Sequence, residues 1–481
     1  MADFKALAKD TVIYGLSSIV GRFLNYLLVP LYTYKISAAS GGYGVVTNLY
    51  AYTALLLVLL TFGMETTFFR FANKEEENPR KVLSTGLWSV LTASATFFFL
   101  VLAFINPISE AMGYGDHPSY IWTMALTVAI DAFQAILFAN LRYQKKAIKF
   151  ASLKMLFIVV NIAVNLLYFV VLPVEKEVGY VFYINLGCTA FITLFFIKDL
   201  KALGAGFDKA LFKRMMSYSW PILILGLAGI LNQTADKILY PYVCPGEEGK
   251  VQLGIYGAVV KIAMIMAMIT QAFRYAYEPF VFGNAKEKDS KETYAKGMKY
   301  FIIFTLLAFL VVMGYIDVLR YIIQPGYWEG LKVVPIVMAA EIMMGVYFNL
   351  SFWYKVTDRT IWGAVFSGAG CAVLIAVNLF FIPKIGYMAC AWGGFAGYGA
   401  AMLLSYFVGK KYYPVAYPLK DIFLYVLLAG ILYAGMILSS RYLGAVPRLA
   451  VNTVLILAFV FYFLRKDLPV RSLPVIGKYF R

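Results

Sequence analysis

Four charged residues interrupt long apolar stretches of this chain at similar depth. Arg22 and Lys261 are basic, whereas Asp131 and Glu341 are acidic. A charge inside an apolar stretch that crosses a bilayer is costly, so it usually faces a cavity or an oppositely charged partner. Two cations could hold a phosphate-bearing anion, and a carboxylate at that depth could take up and release a proton or a sodium ion.

A second group of polar residues lies in other apolar stretches. Asp236 is a further candidate for ion coupling, and Lys237 beside it is a secondary cavity candidate. Lys237 is interpreted equally well as a lysine that extends its ammonium group to the outer interface. Three asparagines complete the secondary candidates: Asn165, Asn232 and Asn378. Asn165 and Asn378 lie in two copies of one pentapeptide, and we expect them to hydrogen-bond between helices rather than contact a ligand.

The four mid-depth charges also have a purely structural interpretation. Arg22 could pair with Asp131, and Lys261 could pair with Glu341. Such pairs would hold helices together and never meet a transported molecule. The residues alone leave both interpretations open, although intramembrane charges are more often functional.

The elements that carry these residues are membrane helices. Hydrophobic residues make up 62% of the 481 residues and charged residues 14%, a composition typical of a multi-pass membrane protein. About 20 apolar residues span a bilayer as a helix, and no stretch alternates with the period of two that β-strands show. We predict an all-α fold with fourteen spans, near 10–33, 44–69, 82–105, 119–141, 151–173, 178–197, 216–240, 252–277, 298–323, 331–354, 360–382, 386–409, 420–439 and 447–464.

Basic residues give the predicted orientation. Most of the 43 Lys and Arg residues fall in the two tails and in loops on the same side as the N-terminus. The positive-inside rule therefore predicts that both termini are cytoplasmic, which an even number of spans requires. The net charge of +17 is then mainly a topology signal and not evidence for nucleic-acid binding.

An internal repeat divides the chain. Ile-Ala-Val-Asn-Leu occurs at 162–166 and again at 375–379, and Tyr43-Gly44 corresponds to Tyr256-Gly257. Duplicated membrane bundles are mostly transporters, because two similar halves can rock about a shared site. The linker, with Gly204 and Gly206, is expected to be flexible. The predicted division is an N-terminal six-span lobe at 1–197, a cytoplasmic linker at 198–214, a C-terminal six-span lobe at 215–411, and two further spans with a cytoplasmic tail at 412–481.

Sequence signals of an enzyme are not found. The chain has no phosphate-binding loop, no nucleophile elbow and no pairing of its one histidine, His117, with a carboxylate. Its four cysteines suggest neither a disulfide nor a metal site. We therefore expect a non-enzymatic protein without metal or cofactor. The carboxylates within the spans are candidates for coupling transport to a proton or sodium gradient.

Several short motifs occur along the chain: Gly42-Tyr-Gly44, Gly63-Met-Glu65, Tyr218-Ser-Trp-Pro221, Asp236-Lys237 and Leu253-Gly-Ile-Tyr-Gly257. In this order they resemble the polysaccharide (O-antigen) flippases of the multidrug/oligosaccharidyl-lipid/polysaccharide (MOP) exporter superfamily. The similarity extends over essentially the whole chain. The resemblance implies two six-helix lobes, alternating access, and Arg22 and Lys261 as the cations of the cavity.

The resemblance also implies a cargo. It would be an oligosaccharide linked to undecaprenyl pyrophosphate, moved from the inner to the outer leaflet of a bacterial cytoplasmic membrane. Membrane lipids, a polysaccharide polymerase and chain-length proteins would be the partners of a monomeric flippase. A cation-coupled multidrug exporter and a lipid II flippase are alternatives with the same fold. A membrane scaffold protein without transport is disfavoured by the duplication and the buried charges.

Overall fold

The structure, a computed structural model, describes residues 26–283, 290–357 and 359–467, and the regular secondary structure in these ranges is helical. The longer helices are α1 (Leu28–Lys35), α2 (Gly42–Thr61), α3 (Met64–Ala72), α4 (Pro79–Ala103), α5 (Pro118–Tyr143), α6 (Ala147–Leu166), α7 (Gly179–Thr193), α8 (Lys209–Val243), α9 (Glu247–Gly283), α10 (Ser290–Gly314), α11 (Val334–Leu350), α12 (Ile361–Ile385), α13 (Met388–Tyr412), α14 (Leu419–Tyr442) and α15 (Ala445–Lys466). Shorter helical segments are Ala38–Ser40, Ile105–Ala111, Leu167–Val171, Leu194–Phe196, Asp199–Ala205, Ile316–Leu319, Arg320–Ile322, Pro325–Val333 and Phe352–Val356.

Twelve helical segments of the described chain are long and apolar enough to cross a membrane. They correspond to twelve of the fourteen predicted spans. Helix α13 has the required length but is rich in glycine and is not among the twelve. The first predicted span, 10–33, lies mostly outside the described residues. The all-helical membrane class is confirmed, and the count of fourteen stays a prediction.

Capping residues fix where two of these helices begin. The Asn78 side chain accepts a hydrogen bond from the Arg80 backbone N–H at 3.0 Å, and Pro79 occupies the first turn of α4. Asp208 accepts the backbone N–H of Leu211 at 2.9 Å at the start of α8. This hydrogen bond holds the pKa of the Asp208 carboxyl below its ordinary value.

The chain forms two compact units. The first unit comprises residues 1–258 and 367–397, and the second comprises 259–366 and 398–481. Their boundaries fall within α9, α12 and α13, so three helices pass from one unit into the other. The predicted six-span lobes follow the repeat and divide the chain differently. That division stays a prediction.

Packing in the first unit centres on α5, which contacts α2, α4 and α7, while α8 packs on α2. Met64 and Phe68 are fully buried in this core. Gly63 separates α2 from α3 with φ 73°, and a Cβ there would come within 2.9 Å of the Ile222 side chain on α8. Glycine is required at this position because the left-handed backbone and the close approach both exclude a side chain.

The linker differs from its prediction as a flexible segment. Residues Asp199–Ala205 form a short 3₁₀ helix. The Lys81 ammonium donates to the carbonyl of Ala205 at 2.7 Å, and the Trp88 indole N–H donates to that of Leu203 at 3.2 Å. Both donors lie on α4, so this part of the linker is bound to the first unit.

In the second unit, α10 packs on α11, α14 and α15. Phe459 and Tyr425 are fully buried between these helices. The Lys299 ammonium of α10 lies 2.8 Å from an Asp421 carboxylate oxygen and also bonds Asp467. The two helices outside the repeat are therefore fastened to α10 by apolar packing and by one shared charge cluster.

Candidate functional site

Asp236 is the centre of a buried polar cluster in the first unit. It is 5% exposed, although it lies on the long apolar helix α8. The Lys237 ammonium contacts one carboxylate oxygen at 3.0 Å, and the Tyr256 hydroxyl donates to the other at 2.8 Å. Lys237 also donates to the carbonyl of Gln233 at 2.9 Å. The Lys237 ammonium is thus held by its own helix and by Asp236.

Asn48 connects α2 to α8 beside this cluster. Pro241 lies inside α8 and has no N–H, so the carbonyl of Lys237, four residues earlier, lacks its helical donor. The Asn48 amide nitrogen donates to that carbonyl at 2.8 Å. Its amide oxygen accepts the Tyr114 hydroxyl at 2.9 Å, which adds the loop after α4. Asn48 is 1% exposed; its contact with Tyr114 is buried, and its contact with the Lys237 carbonyl is partly buried.

The N-terminal part of α2, the C-terminal end of α8 and the N-terminal end of α9 lie close together. A Cβ on Gly44 would lie 1.9 Å from the carbonyl oxygen of Lys250, so α2 and α9 touch backbone to backbone. The hydroxyls of Tyr52 and Tyr242 lie 2.7 Å apart and join α2 to α8. These helix ends are the ones that the sequence places on the outer side. We call the residues that join them the outer seal: Gly44, Asn48, Tyr52, Tyr114 and Tyr242.

Asp131, the predicted mid-depth carboxylate of α5, interacts electrostatically with Lys154 of α6. The Thr189 hydroxyl of α7 donates to the same carboxylate at 3.3 Å. Lys154 also lies 4.1 Å from the centre of the Phe138 ring. Arg22, the partner that the sequence suggested for Asp131, lies outside the described residues. Sequence reasoning missed Lys154 by grouping it with the cytoplasmic loop, although it falls inside the predicted span 151–173.

The other predicted charge pair lies in the second unit. Lys261 is on α9 and Glu341 is on α11, and both side chains are half-buried. Their predicted roles, a clamp for Lys261 and ion coupling or charge balance for Glu341, stay predictions. The same holds for the clamp role of Arg22.

The asparagines have structural contacts. Asn165 is fully buried and accepts the Tyr32 hydroxyl at 2.8 Å, which joins α1 to α6 as expected. Asn232 donates to the carbonyl of Ser367 at 2.8 Å and so joins α8 to α12. Asn378 is fully buried and donates to a carbonyl of its own helix, so its described hydrogen bond does not join two helices as expected. Cavity roles for the three residues stay predictions.

Three carboxylates on apolar helices of the first unit have basic neighbours. Glu65 on α3 contacts Arg142 on α5 at 2.8 Å, a pair that sequence reasoning did not identify. Asp131 interacts with Lys154, and Asp236 interacts with Lys237. Within the described ranges, no group of three or more His, Cys, Asp and Glu residues could hold a metal ion. The carboxylates described here take part in paired charges and hydrogen-bonded helix contacts.

Residues 7–277, more than half of the chain, match the sequence family described as polysaccharide biosynthesis protein. The chain belongs to this family. Among solved structures, a lipid II flippase, MurJ, in an inward closed conformation is similar with a TM-score of 0.73 and 13% identity. The similarity covers 94% of this chain and 99% of MurJ.

Two multidrug transporters share the fold of this family member. One is an inward-facing MATE transporter of the MOP superfamily, with a TM-score of 0.67, 13% identity, and coverage of 81% of this chain and 93% of that one. The other is the MATE transporter DinF-BH, with a TM-score of 0.61, 16% identity, and coverage of 85% and 96%. No curated protein matches the sequence. The expected MOP superfamily membership and fold are confirmed.

Proposed function

We propose that this family member is a flippase for oligosaccharide repeat units linked to undecaprenyl pyrophosphate. It moves them from the inner to the outer leaflet of a bacterial cytoplasmic membrane by alternating access, for O-antigen, capsule or exopolysaccharide synthesis. The observation that carries this proposal is the match of residues 7–277 to a polysaccharide biosynthesis family within a membrane-spanning MOP fold.

The chemistry of the cargo suits the predicted cations. A sugar pyrophosphate is hydrated and anionic, and its polyprenyl tail stays in the lipid. Arg22 and Lys261, one in each half of the repeat, are proposed to hold the pyrophosphate, because cations bind phosphate oxygens through strong charge-assisted hydrogen bonds. The polyprenyl tail is proposed to lie along α14 and α15.

Charge pairing in the first unit disfavours an exporter of cationic drugs. Such an exporter is expected to expose carboxylates to its cargo. Here Glu65 lies 2.8 Å from Arg142, and Asp236 lies 3.0 Å from Lys237. Carboxylates already neutralised by cations attract a cationic drug weakly. An anionic lipid-linked sugar is therefore the better cargo.

The outer seal supports the proposed alternating access. It depends on three side-chain hydrogen bonds and on the close backbone approach at Gly44. Asp236 is adjacent to Lys237, whose carbonyl Asn48 holds. We propose that an ion or proton bound at Asp236 changes this contact, with Asp131 and Glu341 as the other coupling candidates. The flippase would act as a monomer beside a polysaccharide polymerase and chain-length proteins.

The proposal is tested by complementation. The full chain or an empty vector is introduced into three bacterial strains. The first strain lacks its polysaccharide flippase, the second is depleted of its lipid II flippase, and the third lacks drug exporters. We expect restored surface polysaccharide in the first strain only. Rescue of the lipid II strain, or drug resistance without restored polysaccharide, would replace the proposed cargo with one of the alternatives.

A further inference from the structure

A small cavity in the second unit lies among α9, α10, α11 and the segment Phe352–Val356. It has a volume of about 10 Å³, which is room for one water-sized group. Its lining includes five aromatic residues and two cations, Arg274 and Lys355. The described lining residues include no carboxylate. The electrostatic character of the cavity therefore favours an anion over a cation.

Two lining side chains present polar atoms without a partner in the part of the chain that the structure describes. They are the Thr270 hydroxyl and the Asn349 amide oxygen, on residues that are 5% and 9% exposed. The Asn349 amide nitrogen donates to the carbonyl of Gly345 at 3.0 Å, which fixes the amide oxygen as the remaining acceptor. Buried polar atoms are nearly always hydrogen-bonded, so this pair indicates a ligand or an ordered solvent molecule.

Thr270 differs from two other buried threonines of the described chain. Thr234 and Thr305 each donate their hydroxyl to the carbonyl four residues earlier, at 2.9 Å. Thr270 does not have this bond in the described structure. Its hydroxyl and the Asn349 oxygen together match one ligand hydroxyl, which would accept from Thr270 and donate to Asn349.

The cations lie toward the more exposed side of the cavity. Arg274 and Lys355 are half-buried, whereas Thr270, Asn349 and Gly345 are buried. The Arg274 guanidinium lies 4.9 Å from the centre of the Phe348 ring, and Lys355 lies 5.4 Å from that of Phe352. A group too large to enter the cavity could thus rest on aromatic faces beside two cations. Aromatic walls with a few placed polar groups are typical of ligand sites.

We propose that this cavity is a binding site for a sugar phosphate. One sugar hydroxyl enters between Thr270 and Asn349, and the phosphate binds Arg274 and Lys355 at the mouth. The inference rests on the proposed function, because it makes the cavity a second contact site for the head group of the same cargo, apart from the pyrophosphate site proposed at Arg22 and Lys261. The phosphate of an anionic lipid headgroup has related chemistry, and the experiment separates the two sources.

The purified full chain in detergent is titrated with N-acetylglucosamine 1-phosphate, with inorganic phosphate and with micellar phosphatidylglycerol, and binding is measured by microscale thermophoresis. Thr270→Val and Asn349→Leu should each weaken sugar phosphate binding about 2- to 10-fold, the effect of one lost hydrogen bond, and leave phosphate binding unchanged. Arg274→Gln should weaken both. The matched control Thr305→Val changes a buried threonine outside the cavity and should bind as wild type.

The melting temperature gives a second readout that does not depend on a chosen ligand. Because the Thr270 hydroxyl has no partner in the described structure, Thr270→Val should not lower the Tm of ligand-free protein. Thr305→Val removes a hydrogen bond and should lower it. A Tm drop in Thr270→Val would overturn the proposal in favour of a resident water.

Three binding results would also overturn the site. They are wild-type affinity in Thr270→Val and Asn349→Leu, equal effects of these variants on inorganic phosphate, and binding of phosphatidylglycerol without the sugar phosphate. Export of surface polysaccharide by the same variants is scored in parallel. If wild type and both variants export equally, the inference fails and the proposed function stands. If wild type does not export, the proposed function itself fails.

Discussion

Replacing Asn48 with leucine should open the outer seal. The side chain is 1% exposed, and its amide nitrogen donates to the carbonyl of Lys237 at 2.8 Å. No backbone N–H can replace this donor, because Pro241 occupies the position that would supply it. The amide oxygen also accepts the Tyr114 hydroxyl at 2.9 Å. Leucine has the same branching at Cγ, is larger and has neither hydrogen-bonding group, so Asn48→Leu removes both bonds without creating a cavity.

The size of the effect follows from these two bonds. One buried hydrogen bond contributes about 0.5–1.5 kcal/mol net, so the closed arrangement should lose about 1–3 kcal/mol. If the outward-open arrangement makes neither bond, its population relative to the closed one rises roughly 5- to 150-fold.

The assay uses a native cysteine. Cys390 is 1% exposed, lies in the first turn of α13 and interacts electrostatically with Asp236. The other cysteines, Cys188, Cys244 and Cys371, are replaced by serine, so that Cys390 is the only cysteine. A membrane-impermeant maleimide is added to intact cells, and Asn48→Leu should speed the labelling of Cys390. Asn140→Leu is the control, since Asn140 is buried and its amide oxygen accepts a hydrogen bond from Gln144 of the same segment.

An unchanged labelling rate in Asn48→Leu, with normal protein abundance, would refute the reasoning. Equal acceleration in Asn140→Leu would show general loosening of the first unit and would also refute a specific role for the outer seal.

Three further predictions concern topology, coupling and stability. A cysteine placed at Lys288 should react with impermeant maleimide only after cell lysis, whereas Cys244 should react in intact cells. Labelling of residue 288 in intact cells would contradict the fourteen-span topology. The double variant Asp131→Lys, Lys154→Asp exchanges the two charges. If these residues only balance one another, it should restore the export that each single variant loses. A double variant that is folded but inactive would assign ion coupling to Asp131. Lys299→Met should lower the unfolding free energy by about 1–3 kcal/mol, because it leaves two carboxylates together at the ends of α14 and α15. Denaturation in detergent measures this change. A stability equal to that of wild type would show that the charge cluster does not fasten these helices.

Residue composition and spacing predicted the fold class well, because a bilayer imposes one rule on every span. The same rule explains the residue that was missed. Lys154 lies only a few residues inside an apolar stretch, where a lysine can belong either to the loop or to the span. The linker was misjudged for a different reason. Gly204 and Gly206 predict a flexible chain, but carbonyls of residues 199–205 find donors on α4, and distant donors leave no local signal.

The outer seal could be predicted only in part. Pro241 inside an apolar stretch indicates that a helix carbonyl needs another donor. Nothing local identifies Asn48, which is 189 residues away in sequence, as that donor. The internal repeat relates Tyr43-Gly44 on α2 to Tyr256-Gly257 on α9. In the structure these two helices are in contact at Gly44. Pairings of this kind depend on tertiary packing, which one sequence does not specify.

Transbilayer movement of a lipid-linked sugar is the most direct test of the central claim. The full chain is reconstituted in liposomes that contain undecaprenyl-pyrophosphate-linked N-acetylglucosamine with a fluorescent label, under imposed proton and sodium gradients. Dithionite then quenches the label in the outer leaflet only. The account predicts that wild type brings the inner-leaflet label to the outer leaflet, and that Arg22→Ala and Lys261→Ala do so at the rate of protein-free liposomes. Wild-type protein that moves the lipid no faster than protein-free liposomes would contradict the account.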